Sequence, residues 1–305
     1  MSRPLLVVDL PWLLYRSFFA LPRSIADEQG RPVNALLGAV NAILAQLDPS
    51  AGLDPRAVVA CTGAENAAYR ALLYPPYHAH RDPMPEELAE QWSKAPGLVE
   101  SLGWTLSDAG ELEADDAMFS HARAEEARGG GALLMTADRD LYAAVSPRVS
   151  VLELRSGGTR SLLGPEEVRE RYGIDPEQVP DLIALRGDPS DGIPGAPGVG
   201  AKTAAAMLRA HATLDGVLDA AHVVAEGRGR REAIRPRIAD ALVENEELLR
   251  TFREVATLQH IDVSSPADAA TDLEGGASAA RALGMRRLAT RLEQLASGPR
   301  PRVRG

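Results

Sequence analysis

Cysteine is almost absent from this 305-residue chain, with Cys61 the only one. A lone thiol closes no internal disulfide, and without a CxxC or Cys/His cluster a zinc site is excluded, so a reducing compartment is expected. Long apolar runs are missing too. Leu5-Leu6-Val7-Val8 is broken at once by Asp9, too early for a signal-peptide core or a membrane span, which predicts a cytoplasmic protein with no membrane partner. Lysine occurs only at Lys94 and Lys202, so nearly all positive charge is arginine, the better side chain for two-pronged phosphate contacts. A genome biased toward Arg, Ala and Gly codons accounts for that excess equally well. Positive charge is nevertheless in deficit: the formal net charge of -10, taken alone, argues against a nucleic-acid partner. The objection weakens if many of the acids hold divalent cations, which invert the local field.

What is present is globular. Hydrophobic residues at 45% and charged residues at 25% exclude disorder and fibrous repeats. The length lies near the point where single cores divide, so two unequal domains are expected. Leu5 to Leu10 reads as a buried parallel strand ending in an acid, followed by helical spacing from Ala35 to Leu47 and a strand over Ala57 to Cys61. Further helices are predicted at Glu86 to Leu102 and Ala114 to Ala127, and strands at Ala132 to Met135 and Val149 to Leu154. This alternation implies an α/β fold with a mostly parallel sheet, whose ligands gather at the carboxyl ends of the strands. After Leu163 helices dominate: Pro165 to Tyr172, Pro176 to Arg186, Ala201 to His211 and one long helix from about Arg231 into Phe252. A boundary is placed near Gly164, giving domains at 1–163 and 164–296 and a frayed Pro- and Arg-rich tail at 297–305.

Acids fall at strand ends, helix starts and tight turns. They are Asp9, then Glu113, Asp115 and Asp116 at a helix start, Asp138 and Asp140 after a strand, and Asp188 and Asp191 in a turn. Each pair alone reads as helix-start charge, solvated loop or turn former. Together, like charges this close would force protonation unless cations neutralise them. Oxygen-only donors select hard ions, Mg²⁺ or Mn²⁺ at two or more sites, and two such ions suit in-line phosphodiester hydrolysis. Just downstream, Gly195 to Ala204 places glycines and Lys202 ahead of a helix, able to grip phosphate without reading sequence; it is not a P-loop, since Ala201 separates Gly200 from Lys202. A plain Gly/Pro turn before a helix is the alternative.

These segments resemble the 5′-nuclease family: the 5′→3′ exonuclease domain of bacterial DNA polymerase I, phage 5′ exonucleases and flap endonucleases. The matching motifs are Val7-Val8-Asp9 with Tyr15-Arg16, Tyr77 to Arg81 with Pro83-Met84-Pro85, Glu113 to Asp116, Thr136 to Asp140, and Gly187 to Asp191 running into Gly198 to Ala204. The resemblance implies a PIN-like domain with a helical arch at about 70–102, and a C-terminal helix-three-turn-helix domain with its helix-hairpin-helix at 195–211. It makes all eight acids metal ligands or close supports, and it makes Arg16, Arg70, His78, Arg81, Gly198, Gly200, Lys202 and Thr203 contacts to DNA, with K⁺ at the hairpin. The implied protein is a free-standing monomeric 5′→3′ exonuclease or flap endonuclease acting on DNA with 5′ ends or flaps. Two departures stand out: Gly63 occupies a usual aspartate position, with Glu65 either a substitute or a plain surface glutamate, and His78 replaces a usual lysine, either as a partial cation or as a packing or hydrogen-bonding histidine. Loss of a ligand at Gly63 keeps open a structure-specific DNA binder with weak catalysis, and a PIN-type ribonuclease is a further alternative.

Overall fold

A computed structural model describes residues 3–155 and 159–297. The expected tail therefore lies, apart from Ser297, outside the described residues. Six strands form one sheet: β1 (Leu5–Asp9), β2 (Ala57–Thr62), β3 (Thr105–Asp108), β4 (Ala132–Met135), β5 (Val149–Leu154) and β6 (Arg160–Leu163), in the order β3-β2-β1-β4-β5-β6. All pairs are parallel except β5 with β6. The order reverses between β1 and β4, so a crevice opens at their carboxyl ends, where Asp9 and the residues after Met135 emerge.

Helices cover both faces: α1 (Leu10–Ala20), α2 (Asn34–Leu47), α3 (Ala68–Leu73), α4 (Glu86–Ser101) and α5 (Ala114–Ala127) within the sheet region. Then come α6 (Pro165–Tyr172), α7 (Val179–Arg186), α8 (Ala201–His211), α9 (Leu214–Ala225), α10 (Pro236–Glu244), α11 (Glu246–Ala256), α12 (Leu273–Ala282) and α13 (Arg286–Ser297). Alternate strand residues feed two cores. Leu5, Val7 and Val59 join α5 and continue without interruption into α7 to α11, while Leu6, Val8 and Ala60 join α1, α2, α4, α12 and α13. The helices after 164 are thus divided between the faces, and α12 and α13 return to the sheet region beside α4 instead of staying with the other C-terminal helices.

Three expectations change. The long helix of 231–252 is two helices: Pro236 sets the first turn of α10, and the chain turns at Asn245, whose side-chain amide donates to Ala241 O at 2.8 Å. Two strands were not anticipated, because β3 is short, polar and half-buried and β6 is an edge. The segment 70–102 is α3, a loop and α4, and α4 does not stand free. Its Leu88, Ala95, Leu98 and Val99 are buried, and Gln91 Oε1 accepts from Ala35 N at 2.8 Å, so only the earlier residues and Trp92 border the site.

Candidate active site

Seven of the eight acids singled out line one open cavity of about 1290 Å³: Asp9, Glu113, Asp115, Asp138, Asp140, Asp188 and Asp191. Asp9 ends β1 and caps α1, its Oδ1 accepting from Trp12 N at 2.9 Å and its Oδ2 from the Thr136 hydroxyl at 2.7 Å. Burial outweighs these bonds and raises its pKa to about 6, with the Asp138 charge adding to the rise. The carboxylates of Asp115, in the first turn of α5, and of Asp140 accept no hydrogen bond from any described residue. Enclosure and then the charges of neighbouring carboxylates push both well above the usual range: Asp138 leads for each, with Asp9 and Glu113 behind it at Asp115, and Asp191 and Asp188 at Asp140. Asp138 opens onto the cavity and accepts from Asp140 N at 2.9 Å, yet its protein surroundings and the charges of Asp191 and Asp188 still raise it.

The remaining acids are partly or wholly committed. Asp188 Oδ1 accepts from Ser190 N at 2.9 Å and from the Ser190 hydroxyl, and its Oδ2 lies 3.5 Å from Arg186. Asp191 Oδ1 holds His78 Nε2 at 3.0 Å, with Arg81 at 3.6 Å. Glu113 accepts from Ala67 N at 2.8 Å and the Tyr77 hydroxyl at 3.0 Å and pairs with Arg70 at 3.0 Å. Asp116 is a correction. It is fully buried and takes four donors: both Arg70 terminal nitrogens, Gln259 N at 2.7 Å and Glu113 N at 3.1 Å, leaving no oxygen lone pair aimed at the cavity.

The expected DNA contacts divide likewise. Arg81 lines the cavity and is half exposed. Arg70 borders it but is buried against Asp116, Glu113 and Val255 O, so it serves as a strut and not as a phosphate contact. Arg16 lies over the Trp12 ring at 5.6 Å and is not part of the cavity wall. His78 also borders the cavity but is buried: it stacks on Tyr77 with ring centroids 3.8 Å apart, bonds Asp191 through Nε2 and has an unpartnered Nδ1. Gly198 (φ 78) and Gly200 turn the chain into α8 with open space beside both, Lys202 is exposed and Thr203 half-buried. Ala201 reaches the cavity rim, so this turn adjoins the acids.

Sequence reasoning missed Arg139 and Arg186 in the cavity wall, although Arg139 lies between two of the chosen acids and Arg186 directly precedes Gly187-Asp188. It also missed an aromatic end formed by Trp12, Tyr15, Phe19 and Trp92. Trp12 and Tyr15, three apart on the helix after Asp9, were the available signal; nothing local marked Trp92. Gly63 is explained by crowding: a Cβ there would lie 2.3 Å from Leu112 O, which itself accepts from Ala64 N at 2.8 Å. Glu65 lines the cavity and accepts from the Tyr15 hydroxyl at 2.8 Å.

As they stand, no three acids, histidines or cysteines among the described residues close around one point at metal-holding distance. The oxygen-only donor set, with Asp9, Asp115, Asp138 and Asp140 each raised by burial and by neighbouring carboxylates, still fits hard divalent cations, because uncompensated negative charge is what such an ion would relieve.

No helix among the described residues is long and apolar enough to cross a membrane. Residues 4–173 match the family model described as 5′-3′ exonuclease, N-terminal resolvase-like domain, and residues 174–274 match its C-terminal SAM fold. The 5′-3′ exonuclease of Mycobacterium tuberculosis is 35% identical over 242 residues, covering 72% of this chain and 74% of that one. DNA polymerase I of the same organism is 35% identical over 261 residues; 85% of this chain is covered but only 28% of the polymerase. Among solved structures, the T5 5′-exonuclease with zinc aligns over 97% of this chain and 100% of its own at a TM-score of 0.64 and 17% identity. The catalytic core of Rad2 with DNA substrate aligns over 95% and 92% at a TM-score of 0.61 and 14% identity, so both show the shared fold. The motifs, the cavity they build and these matches lead to one conclusion: the chain belongs to the 5′-3′ exonuclease family of hydrolytic nucleases.

Proposed function

We propose that this protein hydrolyses DNA phosphodiester bonds at or near 5′ ends, including single-stranded flaps, with the help of divalent cations. The observation that carries the reading is the convergence of Asp9, Asp115, Asp138 and Asp140 from two strand ends and a helix start onto one cavity, where burial and neighbouring carboxylates raise the pKa of each. Asp9, Asp115, Asp138 and Asp140 would hold Mg²⁺ or Mn²⁺, with Glu113, Asp188 and Asp191 in support; bound there, such ions would activate water and stabilise the leaving oxygen. A relative in fold, the T5 5′-exonuclease, binds divalent zinc.

The chain's own residues supply orientation. Arg81, Arg139 and Arg186 place positive charge in the wall of an otherwise acidic cavity, where they neutralise the phosphates flanking the scissile bond. Thr136 fixes Asp9 by its hydroxyl, and the Asp140 amide fixes Asp138. The Gly198–Gly200 turn with Lys202 and Thr203 grips duplex backbone, with K⁺ as the monovalent partner; contacts of this kind read shape and charge, so sequence specificity is slight. The protein acts as a monomer.

The test is 5′-labelled flap, nicked duplex and matching RNA, each with Mg²⁺, Mn²⁺ or EDTA. Short 5′-phosphorylated DNA products that need the metal support the reading. Binding without cleavage would identify a structure-specific binder, and preferential cutting of RNA a ribonuclease.

A further inference from the structure

Four exposed arginines stand together without carboxylate partners. Arg230, Arg231, Arg235 and Arg237 fall within eight positions, all at the surface, and none is ion-paired to a described acid. Glu232, the acid inside this stretch, pairs with none of them, and neighbouring Arg228 is taken by Glu226. Other surface arginines of the helical region are matched, as Arg250 and Arg253 are by Asp215, Arg281 by Glu293 and Arg286 by Glu28, whereas Arg209 and Arg287 stand singly; only at 230–237 do four fall so close along the chain without an acid partner.

The segment carrying them is a built turn. Ile234 N donates to Arg231 O at 3.3 Å, the Ile234 side chain is buried, Ala233 takes a left-handed φ of 63, and His211 Nε2 bonds Glu232 O at 2.9 Å. The backbone that carries these arginines is therefore fixed in place. Arg235 and Arg237 also flank the first turn of α10, where the helix end is already positive and no acid offsets it. Such an arrangement costs stability in isolation and is relieved by a polyanion.

Helix α8 connects this turn to the Gly198–Gly200 turn, since its last residue, His211, holds Glu232 and its N-cap is Gly200. Eleven residues of helix rise about 16 Å. One DNA strand carries a phosphate every ~3.4 Å along the duplex axis, so a helix lying along the duplex would set the two sites about five phosphates apart. We infer that residues 230–237 form a second contact for the backbone of duplex DNA, extending the grip of the Gly198–Gly200 turn away from the acidic cavity. The inference rests on the DNA reading above and adds a surface that the sequence motifs did not mark.

The experiment is equilibrium binding of the full-length chain by fluorescence anisotropy, in EDTA so that cleavage plays no part, across about 50 to 200 mM KCl. The probes are a blunt DNA duplex and a single strand of the same length, with polyglutamate as competitor. For the double variant R231A/R235A, duplex affinity should fall about tenfold and the slope of log K against log salt should shrink by about two, while R231K/R235K keeps the slope. An unchanged slope, an equal loss on the single strand, or displacement of the duplex by polyglutamate at matched charge would overturn the inference. A wild-type chain that binds duplex through these arginines but cuts nothing would sink the nuclease reading and leave this surface standing.

Discussion

Arg70 and Asp116 form a buried two-pronged pair, Nη2 to Oδ1 at 2.8 Å and Nη1 to Oδ2 at 3.1 Å. Arg70 also reaches Glu113 and Val255 O, and Asp116 also accepts from Gln259 N, so one pair joins α3, the start of α5 and the end of α11. Removing one partner strands the other charge in the interior, which costs about 3 to 5 kcal/mol. Arg70→Ala and Asp116→Ala should each lower the urea midpoint strongly. The milder Arg70→Lys should fold, keep DNA affinity in EDTA and lose turnover through a displaced Glu113, because an ammonium cannot make the two-pronged contact to Asp116; full turnover would show that a simple cation suffices at this position.

Asp115 and Asp140 are poised against like charges. Neutralising either removes repulsion that the metal-free fold must bear. Asp115→Asn and Asp140→Asn should therefore raise Tm in EDTA while cutting metal-dependent cleavage by about a thousandfold, a separation of stability from function typical of active sites. A drop in Tm for both would show that the carboxylates are structural.

The direction of the shifts sets a pH dependence. Asp9, raised from 3.8 to about 6, binds its proton more tightly folded than unfolded, and Asp115, Asp138 and Asp140 are raised in the same sense. Their contribution to stability is complete below the unfolded pKa and is lost as pH rises through the folded values. Without divalent metal, Tm at pH 5 should exceed Tm at pH 8 by about 3 °C or more. Adding Mg²⁺ should recover most of the loss at pH 8 and little at pH 5; a metal response independent of pH would contradict this coupling.

Gly63 is closed to a side chain by Leu112 O. Gly63→Asp should lower Tm and activity together by pushing the 109–113 segment, and with it Glu113, away from the site. Glu65→Ala should lower cleavage far less than Asp115→Ala, because Glu65 is engaged by Tyr15. Equal losses at saturating Mg²⁺ would show that Glu65 acts as a ligand.

His78 is buried and bonded to Asp191 in a left-handed backbone conformation (φ 53). A lysine there would bury a longer, charged side chain where a flat ring now stacks on Tyr77. His78→Lys should lower thermal stability and raise turnover at neither pH 6 nor pH 8. A gain confined to pH 8 would restore the alternative in which a permanent cation contacts phosphate at this position.

The sequence by itself determined the strands β1, β2, β4 and β5, the helices α4, α5 and α8, and which acids sit at their ends, because periodicity, capping and turn chemistry are properties of neighbours along the chain. It also marked the family, since five motifs in order leave few other readings. Only the tertiary structure decided which acids remain available. Asp115 and Asp116 are adjacent and chemically identical, yet one faces the cavity and the other the interior, a difference of about 100° around a helix that local pattern does not resolve. It alone decided that Arg70 is a strut while Arg139 and Arg186 line the site, that Leu112 O fills the place of a side chain at 63, and that α12 and α13 return to the sheet. These outcomes depend on burial and pairing between residues far apart in sequence, which exist only once the chain has closed on itself.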